Sequence, residues 1–527
     1  MYIHILGSDK LEKLSSAKTV RTIGFMAVII FCAKFMGLLR ETLIAGVYGQ
    51  GYASDVINTS TQIPLLFFDM TLGVAILSTF VPTFNKYLEC DGKEKALSFA
   101  NNFMTVVITI AAIFAAVGMI FAKPIVSLMV PGYDADKAAE TARLLRILFP
   151  SIIFTAAAYT AVGILQSFGE FNIPSIISVV SNLIMILYLV IAGNRYGLTG
   201  VILSMVAAWA SQLIVQIPPL IKKGYKYRPK FNLRDEGIRD AAKLAVPVLI
   251  SSWVQPLCAV INMAFGSAMG DGAVSGLNWA NKIYIIMVGV FAYAVTNFIF
   301  PRLSRLSAGN NTDGFAETTR VSVSWIVFII GYIAAMFIAL CEPIIKLIFE
   351  RGAFTADNTA VTATALFYYS FGMVGYAICE VLNKSFYAIR DGKTPMYTSI
   401  FGIAVNFASA FIFVRLLNMG IGGLALASAV SSISIAVVLL YMINKRKSGI
   451  IDVHFIKNLV KILICAVFGG VLASTLYKLS AAIGNGGFVI TLARLCISAL
   501  PALILYIIAA FLLGTDELKQ IRRFNRE

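Results

Sequence analysis

Fourteen apolar stretches of bilayer-spanning length divide this chain, and they constrain its fold more than any other feature. They lie near residues 22–47, 55–82, 99–121, 143–165, 174–192, 198–221, 244–266, 278–300, 321–341, 359–382, 396–414, 420–443, 459–477 and 488–513. A helix crosses about 30 Å of hydrocarbon in about 20 residues with every backbone hydrogen bond internal, so each stretch is predicted to be a spanning helix. The composition agrees: 59% of residues are apolar and 13% charged, against about 45–50% and about 25% in soluble domains. A large soluble enzyme is excluded. The second stretch is long for one crossing and holds Pro64, which predicts a kink. The first is too long for a secretory leader and has no small-residue cleavage site, so the first helix is expected to stay.

The basic residues orient the helices. With the amino terminus placed inside, cytoplasmic segments hold 30 Lys and Arg and the opposite side holds 7. That asymmetry is a positive-inside signature with both termini cytoplasmic. It also accounts for the net charge of +16 without invoking nucleic acid.

An internal repeat follows. Pro82, before Thr83-Phe84, matches Pro301, and Lys123-Pro124-Ile125 matches Glu342-Pro343-Ile344, both at an offset of 219 residues. Asp136 then meets Asp357 and Pro174 meets Pro395 at 221, and Gly197–Gly200 meets Gly420–Gly423 at 223. Helices 1–6 and 7–12 are therefore two copies of one unit in parallel orientation, the architecture of a carrier that rocks around a substrate held between its halves. The expected organisation is a cytoplasmic tail over 1–19, an N-lobe over 20–223 and a basic cytoplasmic linker over 224–243. A C-lobe over 244–446, a helix pair over 455–513 and a second cytoplasmic tail over 514–527 complete it.

Six basic residues fall inside the spans: Lys34, Arg40, Arg143, Arg146, Lys282 and Arg494. A cation at mid-bilayer costs roughly 2.5–3.5 kcal/mol on insertion scales, so each needs a purpose. Lys34 is mid-way along helix 1, and Arg40 lies six residues further out, about 9 Å along the axis. Lys282 is in the outer part of helix 8. Cations from opposite lobes suggest a cavity for an anion. For Arg143, Arg146 and Arg494, near outer helix ends, pairing with an acid or reaching the headgroups is the simpler reading. Asp69, close in depth to Lys34, reads first as its ion-pair partner and second as a site of cation or proton coupling. Asp55 and Glu380 read as interfacial.

Chemistry beyond transport has little support. The seven cysteines show no metal spacing, and the only histidines, His4 and His454, lie outside the apolar runs. There is no phosphate-binding loop and no nucleophile elbow. No catalytic residue, metal or cofactor is expected, and work must come from an ion gradient, the membrane potential or the substrate gradient; the coupling cation, if one exists, is left open.

Two groups of residues carry a resemblance. One is Lys34-Phe-Met-Gly37-Leu-Leu-Arg40-Glu41, then Ala45, Gly49, Ala53-Ser54-Asp55, Ile63-Pro64 and Phe80-Val81-Pro82. The other is Arg351-Gly352-Ala353-Phe354, Phe386-Tyr387-Ala388 and Asp391-Gly392-Lys393-Thr394-Pro395. In these the chain resembles the MurJ/MviN family of lipid II flippases, in the multidrug/oligosaccharidyl-lipid/polysaccharide exporter superfamily, over essentially all fourteen helices. The resemblance implies an all-α polytopic fold of MATE-like lobes plus a carboxy-terminal helix pair that holds a lipid tail. It implies a bacterial cytoplasmic membrane protein that moves the undecaprenyl-pyrophosphate-linked peptidoglycan precursor outward, among membrane lipids and cell-wall synthesis machinery. Arg40 matches a family arginine directly, and Lys34 and Lys282 match others as lysine; Asp55 matches a family acid. Where the family has arginine in helix 2, this chain has Phe68 followed by Asp69, and lysine lacks the fork that arginine offers a phosphate. A flippase of another lipid-linked glycan, or a multidrug antiporter of the same superfamily, is the alternative.

Overall fold

A computed structural model describes residues 28–29, 31–242, 253–447, 449–484 and 486–524. The predicted tail over 1–19 and the starts of the first and seventh apolar runs lie outside these residues. Among the described residues the chain is helical, with no strand.

The first half runs through α1 (residues 31–48), α2 (Tyr52–Phe68), a π-helical turn (Asp69–Gly73), α3 (Val74–Cys90), α4 (Lys93–Ile120), α5 (Ala122–Met129), α6 (Ala135–Leu148), α7 (Ser151–Ser167), α8 (Asn172–Ile191), α9 (Gly197–Ile214), α10 (Ile217–Lys222) and α11 (residues 236–242). The second half runs through α12 (Val254–Ser267), α13 (Ala273–Ala308), α14 (Thr312–Ala339), α15 (Cys341–Phe349), α16 (Ala356–Ser370), α17 (Met373–Ala388), α18 (Lys393–Phe411), a second π-helical turn (Ile412–Leu416) and α19 (Gly420–Arg446). Beyond these come α20 (Val453–Leu479), α21 (Phe488–Leu512) and the short α22 (Asp516–Phe524).

The repeat is visible in where helices begin. Lys93 and Thr312 open α4 and α14 at an offset of 219, as do Ala122 and Cys341 for α5 and α15. Ala135 and Ala356, then Asn172 and Lys393, stand 221 apart, and Gly197 and Gly420 stand 223 apart. The bends repeat as well. α6 and α7 meet at 40° and α16 and α17 at 47°. Pro150, which has no amide to donate, sits at the first break. Gly372 sits at the second, where a Cβ would lie 2.7 Å from the Ala429 backbone.

Nine helices of the described residues are long and apolar enough to span a membrane, or eleven when each bent pair counts once. The remaining three of the fourteen predicted runs have specific histories. The first and seventh are only partly described, and the second is divided into two 17-residue helices by the π-turn. The expected disturbance in this run therefore falls at Asp69–Gly73 rather than at Pro64, which α2 carries within its length. Such a turn leaves a carbonyl without its usual helical donor; the indole N–H of Trp253 donates to the Met70 carbonyl at 2.7 Å.

The chain divides into two compact units. One comprises residues up to Val47, Val56–Leu128 and Asp134–Pro256; the other comprises Tyr48–Asp55, Met129–Tyr133 and Leu257 onward. In the first, Phe80, Phe84, Phe99 and Phe103 form an aromatic core, with Phe80 and Phe103 centroids 4.9 Å apart. Gly163 is required there, since a Cβ would meet the Phe80 ring at 2.6 Å. In the second, α17 and α19 approach through Gly375, whose absent Cβ would lie 2.8 Å from the Ile433 amide; small residues let membrane helices pack this closely.

Candidate functional site

α1 carries two of the three predicted anion-binding cations. Arg40 donates from Nη2 to the Glu41 carboxylate at 2.7 Å and from Nη1 to the Asn182 side-chain oxygen on α8 at 3.0 Å. Asn182 is itself fixed, its amide donating to the Ala33 carbonyl at 3.3 Å. The Arg40 side chain keeps 28% of its surface, whereas Glu41 keeps 7%. The guanidinium is therefore pinned along one edge by an acid and an amide while part of it stays open. A fork positioned this way can meet an oxyanion with the terminal N–H groups left open, while its Nε is buried without a partner among the described residues. Lys34 is half-buried, and no carboxylate among the described residues pairs with it.

The ion pair expected between Lys34 and Asp69 does not form. Asp69 opens the π-turn with its side chain exposed, and no ion pair joins the two residues. Counting residues along a helix gives depth but not direction around its axis, which is why equal depth misled. Phe68, the other residue in the place of the family's arginine, is buried and packs edge-on against Tyr159 at 5.3 Å.

The other acid of this region, Asp55, is held inside the protein. It is fully buried, and its carboxylate accepts the backbone amides of Gly272 and Ser275, each at 2.8 Å. These amides belong to the open first turn of α13, whose own cap residue is a glycine with φ +88° and no side chain to offer. A carboxylate there satisfies orphan donors and meets the positive end of the helix dipole. Gln50 reinforces the joint, donating to the Gly272 carbonyl at 2.9 Å and accepting from the Thr362 hydroxyl at 2.8 Å. The preceding Gly49 has φ +67°, and a Cβ on it would sit 2.8 Å from the Ala353 carbonyl oxygen. The two sequence signatures meet at this point. Phe354 of the second packs against Trp279 of α13 at 5.6 Å and Phe349 at 5.7 Å. Lys282 follows on the same helix, half-buried, about 15 Å along the axis from the capped end.

The other intramembrane cations are accounted for locally. Arg143 pairs with Glu140 at 2.7 Å, as an outer-end arginine was expected to do. Arg146 donates to the Met119 carbonyl at 3.1 Å. Arg494 is buried, lies 4.3 Å over the Tyr477 ring and donates to the Tyr477 carbonyl and the Ser480 hydroxyl. Asp391 of the second signature is a loop acid that accepts the amides of Lys393 and Thr394 and the Thr394 hydroxyl, and it pairs with Arg446 at 2.9 Å. Burial raises its pKa, but these donors and the Arg446 charge outweigh that and hold it below the ordinary aspartate value. Among the described residues no group of three or more His, Cys, Asp or Glu is placed to hold a metal ion.

The signal for the Asp55 joint was present in the sequence. Gly270-Asp271-Gly272 opens an apolar helix without an adequate capping side chain, and a buried acid from elsewhere is one of the few ways to supply it.

Comparison with known proteins defines the class first. A solved structure described as lipid II flippase MurJ in an inward closed conformation superposes with a TM-score of 0.75 at 22% identity, covering 92% of this chain and 97% of that one. An inward-facing multidrug resistance MATE family transporter of the MOP superfamily superposes at 0.66 with 15% identity, covering 80% and 98%. The fold is thus the one shared by these two structures, in a chain whose apolar helices make it a multi-pass membrane protein. The family described as lipid II flippase MurJ matches residues 44–494. The chain belongs to that family. Relatives include the probable lipid II flippase MurJ of Rhizobium tropici, 28% identical over 503 residues covering 93% of each chain, and that of Bdellovibrio bacteriovorus, 22% identical over 515 residues covering 97% of each.

Proposed function

We propose that this protein carries the polyprenyl-pyrophosphate-linked peptidoglycan precursor, lipid II, from the inner to the outer leaflet of the bacterial cytoplasmic membrane by alternating access, with both termini in the cytoplasm. Family membership supports the substrate class. The observation that carries the site is Arg40, held by Glu41 and Asn182 yet partly open on a membrane-spanning helix. In this reading Arg40, Lys34 and Lys282 receive the pyrophosphate while the polyprenyl tail stays in lipid along α20 and α21. The segment bearing Gln50 and Asp55 seals the outer side in one state and releases α13 in the other.

Electrostatics gives the cycle a direction. Moving about two negative charges outward, down an inside-negative potential of 100 mV, gains roughly 4.6 kcal/mol. The same field favours return of an empty cationic site toward the inside. Depleting the protein and asking which lipid-linked intermediate accumulates on the cytoplasmic face tests the assignment. Lipid II must accumulate there; accumulation of a different lipid-linked glycan with lipid II unaffected would overturn it.

A further inference from the structure

The linker after α10 is not a free tether. From Lys226 to Arg234 it runs without helix along α4, and alternate backbone amides are tied down. The Arg228 amide donates to the Asn101 side chain at 3.0 Å, the Lys230 amide to the Thr105 hydroxyl at 3.2 Å and the Asn232 amide to the Asn102 side chain at 2.8 Å. Asn102 returns a bond to the Asn232 carbonyl at 2.9 Å, and Tyr227 and Thr105 share one at 3.2 Å. In an extended chain successive side chains face opposite ways, and the sequence Lys226-Tyr227-Arg228-Pro229-Lys230-Phe231-Asn232-Leu233-Arg234 alternates polar with apolar to match. Lys226, Arg228 and Lys230 are exposed, and no carboxylate among the described residues pairs with any of them. Tyr227, Phe231 and Leu233 are 46%, 58% and 55% exposed.

The depth of this strap follows from α4. Its 28 residues extend about 42 Å, longer than the ~30 Å hydrocarbon core. Its charge-free run, residues 96–122, extends about 40 Å and so overhangs that core by about 5 Å at each end. The first turns, which supply Ser98, Asn101 and Asn102 to the strap, therefore stand where the headgroups meet the acyl chains, and Thr105 lies about one turn deeper. The charge bias of the loops puts this end of α4 on the cytoplasmic side.

We infer that the strap is a binding surface for anionic phospholipid headgroups of the inner leaflet, with Tyr227, Phe231 and Leu233 resting at the acyl boundary and Lys226, Arg228 and Lys230 holding the phosphates. Exposed cations at alternate positions, of which Lys230 also donates from Nζ to the Ser98 hydroxyl at 2.9 Å, together with apolar neighbours and interfacial depth, fit an anionic lipid surface, to which each Lys or Arg adds about fivefold in affinity. The inference does not depend on the transported substrate. The test uses the full chain in nanodiscs of equal phosphatidylglycerol and phosphatidylcholine, with retained lipids counted by native mass spectrometry. The native protein retains phosphatidylglycerol in excess. Lys226→Gln/Arg228→Gln/Lys230→Gln lowers that excess at least about fivefold, while Lys226→Arg/Arg228→Lys/Lys230→Arg keeps it, which separates charge from folding. An unchanged excess in the glutamine variant, or an equal loss in Arg302→Gln/Arg305→Gln, would overturn the assignment.

Discussion

The Asp55 carboxylate accepts the Ser275 amide at 2.8 Å across 220 residues of sequence, and it takes the Gly272 amide at the same distance. One buried acid thereby caps a helix that has no capping side chain of its own. Asp55→Ala leaves two buried amides without an acceptor and is expected to cost about 3 kcal/mol. Asp55→Asn keeps an acceptor oxygen and loses the charge, so it falls between. Thermal unfolding in detergent checks the order: native highest, Asn intermediate, Ala lowest. Equal midpoints for the three proteins would show that the joint contributes nothing.

Gly49 and Gly375 make a second prediction about close approach. At Gly375 an added Cβ meets the Ile433 backbone at 2.8 Å, and a backbone cannot step aside as a side chain can. Gly375→Val is expected to lose the folded, monodisperse protein by size-exclusion chromatography. Gly49→Ala suffers both the positive φ and the Ala353 carbonyl, and a destabilisation of about 1–3 kcal/mol is expected. At Gly51, where nothing lies within 4 Å, alanine is expected to be neutral.

The Asp391 loop should give a pH dependence. Its folded pKa lies below the ordinary value of about 3.9. The group therefore contributes stability that is fully present above that value and disappears as pH falls through the depressed one. The native protein is expected to lose apparent melting temperature below about pH 4 more steeply than Asp391→Asn, and the two curves should run parallel from pH 5 to 7. Identical slopes at acid pH would exclude the contribution.

Trp253 donates to the Met70 carbonyl within the π-turn. Trp253→Phe preserves most of the ring and removes the donor, at an expected cost of about 1 kcal/mol. Amide hydrogen exchange over residues 66–76 should rise in that variant and remain unchanged in the bulk of α4.

The helices, the repeat and the cationic residues were legible from sequence because each rests on a one-dimensional pattern: apolar length, recurrence at a fixed offset, charge inside an apolar run. The π-turn was not, since Asp69–Gly73 differs from a continuing α-helix only in hydrogen-bond register. The partners of buried charges were also hidden. Asp55 meets α13, Arg40 meets Asn182 and Arg494 meets backbone carbonyls, all through direction and tertiary contact rather than spacing. Asp69 and Lys34 show the converse: equal depth along two helices is not adjacency.

The central claim is that Arg40 receives the pyrophosphate of the substrate. It is tested most directly in cells that depend on this protein, by measuring lipid II exposed on the outer face while following protein level. Arg40→Ala should abolish its appearance with the protein level unchanged, Arg40→Lys should retain a fraction, and Asn182→Ala, which only loosens the guanidinium, should fall between native and Arg40→Ala. Native levels of exposed lipid II in Arg40→Ala would contradict the account.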